Sequence, residues 1–232
     1  MATSSSSNYS LTARQIATAA LEMVGVVDIG GTPAAEDATK ALEQLNLMVK
    51  TWGADPKPKL FQLTETSLTL LASTATYNLI STPGARKVLE VRRRTSNVDI
   101  VLQPYSREEY LSEPSKTATG MPRAWYFDPQ RATRTLYVVG VPDATIAAST
   151  TLRYTYLRVI EDLDTLDDDF DVPQEWLEVL QYGLAARLAI PYDLFLTNPA
   201  KAAKIEERAA ALYGQLSSYD DEAASVFLQP AW

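Results

Sequence analysis

The stretch "GMPRAWYFDPQRATRTLYVVGVPD" (Gly120–Asp143) sets three consecutive aromatics between two prolines and then runs into an apolar segment. In an extended chain successive side chains point to opposite faces, so Trp125 and Phe127 share one side and Tyr126 takes the other. The three cannot form one stacking platform. A sheet that reads RNA would carry aromatics on adjacent strands among basic neighbours, with glycine-containing signatures that this chain lacks. The stretch reads instead as a strand packed on both faces, followed by a second strand at "TLYVVG".

Outward from it the period of the apolar residues stays near 2 from about Leu63, with further strands at "SLTLL", "KVLEVRRR", "DIVLQ" and "TLRYTYL". Their spacing and turns suggest an antiparallel meander. One short helix interrupts it at "SREEYLSE", where Ser106 can cap and Glu109 stands at N3.

The flanks follow a helical period. In "LTARQIATAALEMVG" Thr12 and Gln15 form a capping box, Leu11 and Ile16 a hydrophobic staple, and Gly25 fits the C′ position. Ile16, Ala20, Met23 and Val24 share one face of this helix. A second helix opens with Thr32 as N-cap and Pro33 at N1, carries Glu36 and Asp37 near its positive end, and stops at Gly53. Its inner stripe is Ala38, Leu42, Leu45, Val49 and Trp52. Beyond the strands, a helix from about Pro173 buries Trp176, Leu177, Leu180, Leu184, Leu188 and Ala189. A last helix is capped by Asn198 with Pro199 at N1, and Ala202, Ile205, Ala209 and Leu212 or Tyr213 line its inner side.

The fold class that follows is α+β: a four-helix bundle-like body made from both chain ends, with an inserted antiparallel β-rich region. Expected boundaries are a flexible N-terminal arm at 1–10, a helical hairpin at 11–62, the β-rich insertion at 63–157, an acidic loop with two helices at 158–216, and a C-terminal tail at 217–232.

Composition limits what such a chain can do. Its 232 residues, 46% hydrophobic and 22% charged, are those of an ordinary globular protein. No apolar run approaches the roughly 20 residues that cross a bilayer, and "MATSSSSNYS" lacks the order of a secretory signal, so a soluble protein made inside the cell is expected. The absence of cysteine and histidine excludes disulfides, thiolate nucleophiles, imidazole bases and the usual zinc, haem and iron–sulfur ligands. No catalytic constellation, cofactor motif or metal motif has recognisable spacing.

The net charge of −8 is unevenly spread. Residues 86–158 carry 12 Lys/Arg against 7 Asp/Glu, and residues 159–232 carry 4 against 15. A basic middle and an acidic last third suggest surfaces for different neighbours, and argue against gripping nucleic acid with the whole body. Arg92, Arg93 and Arg94 form the densest basic run; alternate members must point in opposite directions, and the run reads as a solvated or subunit-facing edge. Among the 7 acids from Glu161 to Asp171, the alternating Asp167, Asp169 and Asp171 resemble the start of a calcium loop. The spacing then fails: Val172 stands where glycine is needed and Pro173 opens a helix. A solvated loop, or one whose charge supports the next helix, is the expectation.

The last segment, "SSYDDEAASVFLQPAW", turns from polar to apolar. Val226, Phe227, Leu228 and Trp232 either fold back on their own domain or bury themselves in another subunit. In the second case Phe227 and Trp232 would each contribute on the order of 1.5–3 kcal/mol before ordering costs.

The order of elements resembles a known family. The hairpin "TARQIATAALEMVG" and "AEDATKALEQLNLMVKTW" is followed by "TETSLTLLASTATYNL", "GMPRAWYFDPQRATRTLYVVGVPD", "LRYTYLRVIEDLD" and "DVPQEWLEVLQYGLAARLAIPYD". With Gly120, Pro122 and Tyr126 before a strand, the Pro142 turn, Pro173 with Trp176, and Tyr192, this looks like the head-to-tail adaptor (connector) proteins of short-tailed bacteriophages, of the tail tubular protein A and packaged-DNA stabilisation types. The resemblance implies a structural virion protein of the phage neck, made in the bacterial cytoplasm. It also implies a ring, generally of twelve copies, between the capsid portal and the next tail component, with DNA passing through the lumen unbound. Portal binding would then fall to residues 217–232, with Val226, Phe227, Leu228 and Trp232 as its contacts, and Arg92, Arg93 and Arg94 would face a neighbouring subunit or tail component. Two other function classes compete: a carboxylate-dependent cell-wall hydrolase, which Asp/Glu pairs alone could support, and a nucleic-acid-binding module using the arginine run, which a pI near 4.7 disfavours.

Overall fold

The computed structural model describes residues 8–53, 60–80 and 84–219. In chain order the elements are α1 (Ala13–Val24), α2 (Ala35–Gly53), β1 (Leu63–Thr69), β2 (Thr76–Asn78), β3 (Ala85–Thr95), β4 (Val98–Val101), β5 (Gln103–Pro104) and α3 (Arg107–Ser112). They continue as β6 (Ala124–Asp128), β7 (Thr135–Val139), α4 (Ala144–Ser149), β8 (Thr150–Arg158), α5 (Leu177–Leu188), α6 (Leu194–Thr197) and α7 (Pro199–Tyr219). The class is α+β. The chain divides into two compact units, one drawn from Met1–Phe61 and Ile160–Trp232, the other from Gln62–Val159.

In the first unit, α1 begins on the capping box: Gln15 N–H donates to Thr12 Oγ1 and Thr12 N–H donates to Gln15 Oε1. It ends on Gly25, which donates its N–H to the Leu21 and Glu22 carbonyls and whose φ of 90° turns the chain so that Val26 N–H also reaches Leu21 O. The second helix starts later than the sequence suggests. Residues 32–34 are not helical, Ala38 N–H donates to Ala34 O, and α2 opens at Ala35, so Thr32 and Pro33 do not occupy the N-cap and N1 positions. Glu36 and Asp37 still lie in its first turn, where the helix dipole favours them.

The centre of this unit is α5, which packs against α1, α2 and α7. Enclosure from several sides explains why it is apolar round most of its circumference rather than striped. Leu180, Leu184, Ala185 and Leu188 are fully buried. Gly183 admits the close approach of α2: a Cβ there would stand 2.9 Å from Met48 Sδ and 3.2 Å from Trp52 Cζ2. An aromatic cluster gathers at the start of α5, with the Trp176 ring 5.8 Å from Trp52, 5.7 Å from Phe61 and 6.1 Å from Tyr213.

The second unit holds two four-stranded sheets in the orders β1-β8-β3-β4 and β2-β7-β6-β5. This differs from a simple meander. Strand β8 returns late in the chain to lie between β1 and β3, and β5 pairs parallel with β6. The run from β4 to β5 passes from one sheet to the other through Leu102, which is buried and donates its N–H to Val91 O. Apolar alternation assigns faces to a strand but says nothing of which strand lies next to it, so the order was not legible. Val91, Leu136, Val138 and Leu152 are the centre of this unit's core, joined by Leu70, Val88, Trp125, Tyr154 and Tyr156.

Candidate interaction surfaces

The arginine run lies at the end of β3, where the chain reverses through Ser96 and Asn97, both at positive φ, into β4. Pairing puts Arg94 opposite Asp99, and the two join through both guanidinium–carboxylate bonds, at 2.6 and 2.5 Å. Arg94 thereby holds the Asp99 carboxyl below its usual range, and Asp99 in turn raises Arg94. Arg92, on the same face, lies 2.9 Å from Glu90 and 3.0 Å from Glu65, and Glu65 also takes Arg153 at 3.2 Å. Three cations and three anions thus cross all four strands of the sheet. Arg93 points to the other face and donates to Pro122 O at 2.7 Å. The structure therefore brings Arg92 and Arg94 together and separates Arg93 from them. Their positive charge is matched by carboxylates, which leaves no local excess for phosphate.

The aromatic stretch divides as strand alternation requires. Trp125 is buried in the sheet core and Phe127 packs against that core. Tyr126 takes the opposite face, beside its cross-strand partner Tyr137 at 5.7 Å, and Tyr110 of α3 lies 5.3 Å from Tyr126 and 4.9 Å from Tyr137. Burial raises the phenol pKa of Tyr110 and of Tyr126. This three-tyrosine cluster explains the placement of α3. Sequence reading missed it because the cluster needs the register of β6 on β7 and the docking of α3, which alternation within one strand does not give.

The acidic loop supports itself. Asp168 accepts from the N–H groups of Asp164 and Thr165 and from the Thr165 hydroxyl, and the Thr165 bonds draw its pKa down. Asp167 binds Arg14 of α1 at 3.0 Å, Asp171 accepts from Glu161 N–H at 3.3 Å, and Asp162 pairs with Lys50 of α2. Asp167 and Asp171 thus go to different partners, Asp169 forms a backbone bridge with Thr12, and no metal-binding group of three or more such side chains occurs among the described residues.

Beside this loop lies an open hollow of about 350 Å³ lined by Asn46, Val49 and several of the acids. A glycosidase needs one carboxyl with a raised pKa to act as acid. The described carboxyls with displaced values, Asp99, Glu109 and Asp168, are all shifted down. They are held as anions by hydrogen bonds and cannot donate a proton near neutral pH.

Val226, Phe227, Leu228 and Trp232 lie outside the described residues. Helix α7 extends to Tyr219, through the first three residues of the segment assigned to the tail. None of the described helices is long and apolar enough to cross a membrane.

Among the described residues, the charged clusters of this α+β chain are engaged largely with its own strands and loops. The family model described as SU10 adaptor protein matches residues 11–229, nearly the whole chain, and the chain belongs to that family. It is a structural head-to-tail adaptor, as the sequence resemblance implied. Among solved structures it is similar to a chain of the neck of an empty GTA particle computed with C6 symmetry, at 15% identity and a TM-score of 0.28, with 76% of this chain and 81% of that chain covered. No curated protein matches it.

Proposed function

We propose that copies of this chain assemble as a ring, twelve in number, that joins the capsid portal to the downstream tail component and lets the genome pass. Membership of the adaptor family over residues 11–229 carries this reading. The charge pattern supports the passage of DNA without specific binding: a net charge of −8 per copy opposes tight ion pairing with phosphate, and each neutralised phosphate would slow ejection. The chain acts by association and not by turnover. Residues 217–232 engage the portal through Val226, Phe227, Leu228 and Trp232.

The test is mass measurement on the purified protein alone and mixed with portal. A ring or a portal complex is expected in at least one condition, and its absence from both would sink the reading. Removing residues 220–232 is expected to leave the thermal transition in place and abolish portal binding; a truncated protein that still binds would relocate the contact.

A further inference from the structure

The sheet β1-β8-β3-β4 ends on two strands whose outer edges pair with no other strand among the described residues. Strands β1 and β8, β8 and β3, and β3 and β4 are each antiparallel, so the two edge strands run in opposite directions. A second copy that sets its β1 against β4 therefore makes an antiparallel pair. Repeating that step leaves the same two edges free at the ends, the head-to-tail relation from which rings are built.

Among the described residues both edges lack two of the usual guards against pairing, although β4 is only 4 residues long and β1 carries Glu65, which Arg92 and Arg153 hold. Strands β1 and β4 contain no proline and no lysine, and the one charge on β4, Asp99, is already taken by Arg94. Val98, Ile100 and Val101 are 60%, 46% and 62% exposed, although all three are residues that favour strands. Cross-strand rows show what would cover them. One row runs Leu68, Leu152, Arg93, Ile100, and the next runs Ser67, Arg153, Arg92, Val101. Leu152 is fully buried and Leu68 packs against the same core; beyond Arg93 the row ends on Ile100, which is 46% exposed. Continuing both rows into a second copy brings its Leu68 beside Ile100 and its Ser67 beside Val101.

We infer that neighbouring copies join edge to edge, β4 of one accepting β1 of the next, so that the sheet runs on through the assembly. This rests on the ring reading above, and it names the surface by which the ring closes. A two-fold pairing of β4 with β4 would use the same apolar edge, but it would stop at two copies and leave β1 unused.

The chain has no cysteine, so the variant S67C/V101C tests the contact directly. Within one chain these positions stand at opposite ends of a row, three strand spacings or about 14 Å apart, well beyond the roughly 7 Å reach of a disulfide. Any disulfide is therefore between copies, and with either an oxidant or a bismaleimide only a link between copies raises the mass on a denaturing gel. In assemblies formed with portal, mild oxidation or a short bismaleimide is expected to give a ladder of covalent multimers from the double variant and none from S67C or V101C alone. Ile100→Lys, at an exposed position, is expected to retain the circular dichroism of the parent and to lose assembly. Assemblies that form but give no ladder, dimers from V101C alone, or normal assembly of Ile100→Lys would each overturn the inference while the ring reading stands. Failure of the parent protein to assemble at all would overturn both.

Discussion

The Asn46 side chain pairs with the backbone of Leu163 in both directions, Nδ2 donating to the carbonyl at 2.9 Å and Oδ1 accepting the N–H at 3.0 Å. An amide side chain on α2 thus stands in for a strand neighbour and satisfies a loop residue 117 positions away, while Leu163 buries its own side chain in the helical core. Replacing Asn46 by alanine leaves both groups of Leu163 without that partner. We expect a loss of about 1–3 kcal/mol in denaturant unfolding. Asn46→Asp retains the acceptor but not the donor and brings a charge close to the acidic loop, so it is expected to be no better than alanine; a parent-like midpoint for both would show that the pairing contributes nothing.

Tyr192 ties the turn after α5 to the first turn of α2. Its hydroxyl donates to Asp37 Oδ1 at 2.6 Å, and burial, with the carboxylate beside it, raises the phenol from 10.0 to about 12. Because the folded state holds this proton more tightly than the unfolded chain, the stabilisation is fully present below about pH 10 and lost as pH rises through about 12. Tyr192→Phe should cost on the order of 1 kcal/mol at neutral pH, below the usual ~1.5–3 kcal/mol of a bond to a charged group because solvent reaches it. The difference from the parent should be constant up to about pH 10 and shrink steadily toward about pH 12, as read from urea midpoints across that range.

The charged row on the first sheet gives a prediction of opposite sign. The Arg94 bonds hold Asp99 below its ordinary 3.8, so the pair's contribution is present above that value and lost as pH falls through the folded-state pKa. Asp99→Asn should lower the urea midpoint at neutral pH, more at low salt than at high. As pH falls below 3.8 the gap should narrow, and it should close once the folded-state pKa is passed; a gap that persists in stronger acid would mean that the asparagine disturbs the turn and not the charge.

How much of this was legible in the sequence depends on the range of the force involved. Local devices came through: the Thr12–Gln15 and Ser106–Glu109 capping boxes and the Gly25 cap stand where expected. Apolar periodicity identified the buried face of α5 from Trp176 to Ala189, all six residues of which are buried. Long-range pairing did not come through. Nothing in the composition of β8 says that it inserts between β1 and β3, and β2 is too short for its alternation to register. The arginine run shows the same limit. Its alternation separated Arg93 from its neighbours, but the partners Glu65 and Asp99 that neutralise it depend on strand order. The acids of residues 161–171 read as one charged run, while folding gives them separate tasks.

Gly140 closes β7 at a φ of 91°, and its Cα lies so near residues 121–122 that a Cβ would stand 2.4 Å from Met121 O. That approach allows Gly120 N–H to reach Val141 O and Arg123 N–H to reach Val139 O, which aligns the segment leading into β6. Gly140→Ala adds left-handed strain of about 1–2 kcal/mol and a clash with backbone that cannot rotate away, so the loss should exceed that figure. Gly120, in the same segment, has open space around its Cα and no left-handed conformation. Gly120→Ala is therefore expected to change stability by no more than about 0.5 kcal/mol. Equal midpoints for the two variants in guanidinium unfolding would show that the close approach at Gly140 does not hold β6 and β7 in register.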